Sequence, residues 1–337
     1  LYICSILCLF YLGGMGHLNG VTFLGQTITG GTIVTFYMYI SKFFTPIQNL
    51  AEQFNWLQSA LASSEKVFSI MDIAPKMVDA PDAIELDEVK GEIEFRDVSF
   101  RYPDADGDTI HHISFTAHHG QTVALIGATG CGKSSIINLI PRLYDATSGQ
   151  VLVDGVDVRD YTQDALRSKI GFVPQKAFLF SGTVSSNVGY GEDNASGAAI
   201  RKAVAVAQAA EFVESPEVGY SGTVAQGGSN FSGGQKQRLS IARAVARDPE
   251  ILVFDDSFSA LDYKTDHALR QALREQTSGT TNIIVAQRIG TIRDADCILV
   301  IEDGAIVGKG THRELMESCK VYQEIAYSQL SKEELAS

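Results

Sequence analysis

The residues best suited to chemistry in this chain of 337 residues fall in two stretches. The first is TVALIGATGCGKSSIINLI, residues 122–140, where an apolar run from Val123 to Ile126 leads into Gly127-x-x-x-x-Gly132-Lys133-Ser134 and then a helical pattern. Glycines let backbone N–H groups close around phosphate oxygens, and the start of a helix adds the positive end of its dipole. In that setting Lys133 neutralises the β- and γ-phosphates and the Ser134 hydroxyl ligates Mg²⁺, while Thr129, Gly130, Cys131 and Ser135 complete the cradle. The second stretch is ILVFDDSFSALD, residues 251–262. Four apolar residues ending in two carboxylates read as a buried strand that delivers Asp255 to the metal, leaving Asp256 where a general base would stand.

Such a site needs a sheet to carry it, and the composition allows one. At 45% hydrophobic residues the chain has enough apolar material for a large domain with its own core and something extra. The charge is unevenly spread. From Leu1 to Ser41 there is no Asp, Glu, Lys or Arg, and residues 1–70 hold two cations (Lys42, Lys66) against two acids (Glu52, Glu65), so the net charge of −13 sits on residues 71–337. An acidic body repels phosphodiester backbones, which argues against a nucleic-acid partner.

The uncharged start reads as membrane-like. Leu1–Gly16 is apolar but shorter than the roughly 20 residues of a spanning helix, as the tail of a longer helix would be. It lacks the basic n-region of a signal peptide. His17-Leu18-Asn19-Gly20 is turn chemistry, and Gln26 to Phe44 is expected to cross the bilayer, with Lys42 snorkelling or facing a polar cavity. Beyond Pro46, Ile47, Leu50, Phe54, Leu57, Leu61 and Phe68 recur at helical spacing, as though the helix continued out of the membrane. These features divide the chain into a partial transmembrane domain (1–70), a linker rich in proline and acid (71–90) and a catalytic body (91–337) that opens on the alternating strand EIEFRDVSFRY. Cys4, Cys8, Cys131, Cys297 and Cys319 show no CxxC pairing, and the pairs His111-His112 and His118-His119 lack acids or Cys at ligand spacing. Reduced thiols and no zinc are expected.

The run FSGGQKQRLSIARAVARDPEILVFDD, residues 231–256, resembles the signature helix and magnesium strand of the ATP-binding cassette (ABC) family. The other motifs follow in that family's order over residues 92 to about 330: Tyr102 in FRYP as the aromatic that stacks on adenine, the P-loop at 127–134, Gln175 in FVPQ as the lever between metal and membrane domain, and Ser259-Ala260-Leu261-Asp262 as the dimer-crossing loop. The resemblance implies an α/β P-loop NTPase with a mixed sheet core, an antiparallel β subdomain and an α-helical signature subdomain, preceded by the last two helices of an exporter's membrane domain. It implies ATP and Mg²⁺ as ligands, with Ser134, Gln175 and Asp255 on the metal. A multi-pass place in the cell membrane, with the cassette in the cytoplasm, goes with it. Ser232, Gly233, Gly234 and Gln235 open a helix and can bind phosphate as the P-loop does. ATP is then clamped between the P-loop of one cassette and the signature of a second half-transporter chain.

Three positions depart from the family pattern. Asp256 replaces the usual Glu, Gln287 in IIVAQRIG replaces a His that contacts the γ-phosphate, and Gln226-Gly227 stand where exporters carry an acid and a base. Asp retracts the carboxylate by about one bond length, and a misplacement of about 1 Å can cost about 100-fold in rate. A glutamine amide bonds phosphate but does not titrate near neutrality. Catalytic residues Asp256, Gln287 and Gln175 would therefore make a slow site in a heterodimer, the intact SGGQ being lent to a partner. Export of a small amphipathic compound (drug, lipid or peptide) is the implied function. A homodimeric exporter using Asp256 as base, a nucleotide-gated regulator or channel, and a soluble cassette ATPase are the alternatives.

Overall fold

A computed structural model describes residues 2–23, 26–75, 77–85, 88–192, 195–277 and 279–329. Residues 1, 24 and 25 of the expected transmembrane domain, residues 76, 86 and 87 of the expected linker, and residues 193, 194, 278 and 330–337 of the expected cassette lie outside the described residues. The chain divides into two units, Leu1–Lys76 and Met77–Ser337, the boundary falling inside the expected linker.

In the first unit, helix α1 (Tyr2–Leu18) ends in a turn at Asn19-Gly20, where Gly20 takes φ 62° as the sequence anticipates. Strands β1 (Thr22–Phe23) and β2 (Gln26–Thr27) form a short antiparallel hairpin, followed by the 42-residue helix α2 (Gly30–Met71). Thr29 sets the start of α2: its hydroxyl accepts from Thr32 N (3.3 Å) while Thr32 Oγ1 accepts from Thr29 N (3.4 Å), a capping box that satisfies two end groups. The helices pack through a Tyr2–Ser41 hydrogen bond (3.0 Å) and a Phe10–Tyr37 ring contact (6.2 Å). Many apolar side chains, among them Leu7, Leu12, Met38 and Phe43, remain exposed.

The expected membrane crossing at Gln26–Phe44 is not borne out. Among the described residues no helix is long and apolar enough to cross a membrane. Gln26 and Thr27 pair in the hairpin instead, and the Thr29 cap delays the helix to Gly30. That leaves an apolar stretch before Lys42 well short of the roughly 20 residues required, and the helix beyond Thr45 is diluted by polar residues.

The second unit builds the platform for the chemistry. Its elements run β3 (Ile93–Phe100), β4 (Ile110–Ala117), β5 (Thr122–Gly127), α3 (Lys133–Leu139), β6 (Ser148–Val153), β7 (Val156–Asp157), α4 (Gln163–Ser168) and β8 (Ile170–Val173). A helical stretch follows: β9 (Gly182–Thr183), α5 (Val184–Val188), α6 (Gly197–Val206), α7 (Ala210–Val213), β10 (Thr223–Val224) and α8 (Gly233–Val245). The rest comprises β11 (Ile251–Asp255), α9 (Tyr263–Gln276), β12 (Thr281–Val285), α10 (Ile289–Ile292), β13 (Cys297–Glu302), β14 (Ala305–Gly310), α11 (His312–Ser318) and α12 (Lys320–Gln329).

A six-stranded sheet in the order β14-β13-β5-β12-β11-β8 is parallel except for β14, and an antiparallel sheet runs β4-β3-β6-β7. This is the mixed sheet, β subdomain and helical subdomain that the sequence implies. Alternation sorts the parallel strands onto two cores. Ala124, Ile126, Leu252, Phe254 and Ile284 face α8, α9 and α12, while Val123, Leu125, Val253, Ile283 and Val285 face α3 and the antiparallel sheet. Each fully buried Val, Leu or Ile contributes about 1.5–3 kcal/mol, so the strands that end at the site form a stiff support.

Part of the expected linker is tied down. Arg142, 5% exposed, donates to the Val78 carbonyl (3.2 Å) and lies 3.9 Å from the Asp79 carboxylate, and its Nε pairs with Asp145 (2.9 Å). Gln163 donates from its backbone and its side chain to Asp79 Oδ1, and Ile84 bridges to Tyr161.

Candidate nucleotide and metal site

Register brings the functional residues to one edge. Asp255 pairs with Val285 across β11 and β12, and Val285 pairs with Leu125 of β5, so β11 and β12 end level and β5 runs two residues further to Gly127. The P-loop leaves β5 there, Asp255 and Asp256 close β11, Gln287 follows β12, and Gln175 follows β8, the neighbour of β11. Crevices beyond the carboxyl ends of parallel strands are where such sheets bind ligands.

The loop's shape depends on glycine at Gly132, the residue before α3. Its φ is 100°, and a Cβ would stand 2.5 Å from Ile110 Cγ2 and 3.1 Å from the Thr109 carbonyl. Lys133 is buried, donating to the Gly127 and Ala128 carbonyls (2.8 and 2.7 Å) and lying 3.5 Å from Cys131 Sγ. The Ser134 hydroxyl donates to Asp255 Oδ1 at 2.9 Å, joining the two expected metal ligands. Burial raises the Asp255 pKa; the Ser134 hydrogen bond opposes this, and the neighbouring Asp256 charge adds to it.

Asp256 is 7% exposed and has φ 46°. Its Oδ2 accepts from Gln287 Nε2 (2.8 Å) and Gln175 Nε2 (3.2 Å). Burial pushes its pKa up, and the Gln175 amide and the Lys133 charge partly offset that. The three residues assigned to catalysis thus converge on one carboxylate oxygen. Tyr102 lies on the rim, its hydroxyl hydrogen-bonded to Ser135 (3.0 Å) and its ring edge-on to Phe100 and Tyr144. Together with Thr129, Gly130, Gly132, Lys133 and Asp255 these groups line a cavity of about 320 Å³. Across the P-loop, Gly127, Cys131 and Gln287 line a larger one of about 860 Å³ with the end of α12.

The donor set suits Mg²⁺. Ser134, Asp255 and Gln175 supply hard oxygen donors, few enough to leave positions for water and phosphate. Among the described residues no group of three or more His, Cys, Asp or Glu is placed to hold a metal, so these side chains form no all-protein cage.

Ser232, Gly233, Gly234 and Gln235 are not brought to this site, and neither cavity includes them. They open α8 with a capping box of their own: Ser232 Oγ accepts from Gln235 N (3.3 Å), and Gln235 Oε1 accepts from Ser232 N (2.9 Å). Ser232 and Gly233 are exposed; the Ser232 N–H is taken by Gln235 Oε1, while the N–H groups of Gly233 and Gly234 stand at the start of a 13-residue helix. Sequence reasoning missed Thr109 and Gln329. Thr109 lines both cavities, and the Gln329 amide bonds to the Gln287 loop; neither belongs to a recognisable motif.

Because residue 287 is an amide, it would add no imidazole limb to the pH profile of hydrolysis at this site. Gln287→His is expected to introduce one near pH 6.5, about the unperturbed histidine value, read as phosphate release against pH. A parent profile that already titrates there would place the group elsewhere.

Residues 110–259 match the ABC transporter family. The chain is 36% identical to the ATP-dependent lipid A-core flippase of Syntrophus aciditrophicus (strain SB) over 96% of its own length and 55% of the relative's. It is 39% identical to the uncharacterized ABC transporter ATP-binding protein YfiC of Bacillus subtilis (strain 168), over 95% of this chain and 52% of that one. Among solved structures it is similar to a bacterial Atm1-family ABC exporter with ATP bound, at 33% identity and a TM-score of 0.78, covering 98% of this chain and 58% of that chain. The chain spans about half the length of the curated relatives it matches. Motif order, strand-end geometry and these likenesses agree: the chain carries the ATP-binding domain of the ABC transporter family.

Proposed function

We propose that this chain is the ATP-binding and ATP-hydrolysing subunit of an ABC exporter, that its own nucleotide site turns over slowly, and that it lends its signature to a second half-transporter. The observation that carries this is the Asp256 carboxylate, short, buried and held by two glutamine amides beside an intact P-loop and Ser134–Asp255 pair. Lys133 and the P-loop N–H groups bind the phosphates, and Tyr102 stacks on the base. Ser134, Asp255 and Gln175 hold Mg²⁺, which when bound screens the phosphate charge. Asp256 orients the attacking water from too far back, and Gln287 bonds the γ-phosphate without titrating.

Two further features support coupling to a membrane domain. Beyond Gln175, the exposed ring of Phe178 meets Phe180 edge-on at 5.3 Å and Phe180 stacks on Tyr190 at 4.5 Å, with Arg243 over the last two, an aromatic surface suited to a docking helix. The exposed apolar residues of α1 and α2 suit a lipid or protein cover. The likeness to a lipid A-core flippase supports an amphipathic, lipid-like cargo.

The test is ATPase activity of the chain alone and with its co-purifying partner. Slow turnover alone is expected, with faster turnover in the pair. The faster rate should survive Asp256→Asn in this chain and disappear with Gly233→Asp. Brisk turnover of the chain alone that vanishes in Asp256→Asn refutes the slow-site assignment.

A further inference from the structure

We propose that Gln329, at the end of α12, is the positioning residue for Gln287, setting how well the site distinguishes ATP from ADP. Its amide closes a two-point clamp on the loop after β12: Gln329 Nε2 donates to the Gln287 carbonyl (2.7 Å), and Gln329 Oε1 accepts from Ile289 N (2.9 Å). These are the carbonyl of one residue and the N–H of the residue two on, the pair that a neighbouring strand would engage.

The N–H end of the clamp answers a specific need. Ile289 opens α10, and the first N–H groups of a helix have no intrahelical acceptor. Arg288, at the cap position, provides no side-chain cap. Ile289 is fully buried, so without Gln329 its N–H would lose its acceptor where water reaches it poorly.

The clamp has a fixed anchor. Tyr322 and Ala326 of α12 are fully buried, and the Tyr322 hydroxyl shares a 2.7 Å hydrogen bond with His312 Nδ1. Gln329 therefore holds the backbone of residue 287 against a rigid helix. The Gln287 side chain stays free to exchange its 2.8 Å bond to Asp256 Oδ2 for one to a γ-phosphate. The arrangement rests on the proposed nucleotide site, since Gln287 must meet the phosphate that ADP lacks.

Three measurements on the full chain test this, with Gln329→Ala and Gln329→Glu. In Gln329→Ala, hydrogen exchange of the Ile289 amide is expected to accelerate, and the preference for MgATP over MgADP to fall by roughly three- to tenfold, the loss of one or two ordinary hydrogen bonds. MgADP affinity stays as in the parent, which also verifies folding. Gln329→Glu has nearly the same shape but, when ionised, cannot donate to the Gln287 carbonyl. Its nucleotide preference is expected to recover towards the parent's as pH falls, because the protonated acid regains the donor. Glu302, Asp303 and Glu324 line the same cavity and favour that protonation. A simple packing role gives no such recovery. A parent that discriminates and a Gln329→Ala variant that discriminates equally overturn the clamp alone; a parent that binds both nucleotides equally removes the Gln287–γ-phosphate contact and the clamp's role with it, and a parent that binds neither sinks the nucleotide-site assignment.

Discussion

Replacing Asp256 with glutamate is expected to raise ATP hydrolysis at this site by about 100-fold. The present carboxylate ends one methylene short and spends its Oδ2 on the Gln287 and Gln175 amides. Glutamate would carry its oxygens past those amides into the cavity, where the attacking water must stand. A 100-fold change is about 2.7 kcal/mol of barrier, within what correct placement of a base supplies. The backbone charges something for the exchange, since residue 256 has φ 46° and Asp tolerates that region better than Glu; the cost falls on stability rather than turnover. Phosphate release at saturating MgATP reads the result. An unchanged rate would mean that the acid at 256 does not limit hydrolysis. The parent's pH profile adds a check of sign: burial raises the Asp256 pKa, so its activity is expected to fail on acidification at a higher pH than an ordinary aspartate would dictate.

The second large effect is on binding. Lys133→Ala is expected to weaken MgATP affinity by about 100-fold or more, because charge-assisted hydrogen bonds are worth about 1.5–3 kcal/mol each and the side chain serves more than one partner. The lysine is buried and bonds the Gly127 and Ala128 carbonyls, so its loss leaves the loop itself less well held as well as removing the cation for the phosphates. Lys133→Arg should not rescue, since a planar guanidinium does not fit where a compact ammonium sits between two carbonyls. Titration calorimetry, with circular dichroism as the folding control, makes the comparison. Affinity within a few-fold of the parent would remove the P-loop from its assigned role.

The site was legible in the sequence where chemistry and local structure are written in one contiguous run. TVALIGATGCGKS announces a strand, a loop and a helix, and ILVFDD announces a strand end. Because parallel strands bring their carboxyl ends to one edge, placing Asp255, Gln175 and Gln287 around the P-loop needed only the motif order. Contacts between distant segments were not legible. Gln329 meets the Gln287 carbonyl from 42 residues downstream, through an amide that no pattern marks. The first unit misled for a different reason. Hydropathy reads Gln26 to Phe44 as one apolar length, but Thr29 and Thr32 compete for their own backbone and cap a helix at Gly30, leaving the earlier residues to a hairpin.

Arg142 follows the P-loop helix by only a few residues, and its guanidinium grips Val78 and Asp79, the first residues of the cassette unit. A pull on the chain at Met77 is therefore expected to divide between α4, through Gln163, which bonds the Met77 carbonyl and Asp79, and the segment just behind the P-loop helix, through the solvent-shielded Arg142. Strain at the start of the unit is then shared by two anchors, and only the arginine leads towards the P-loop.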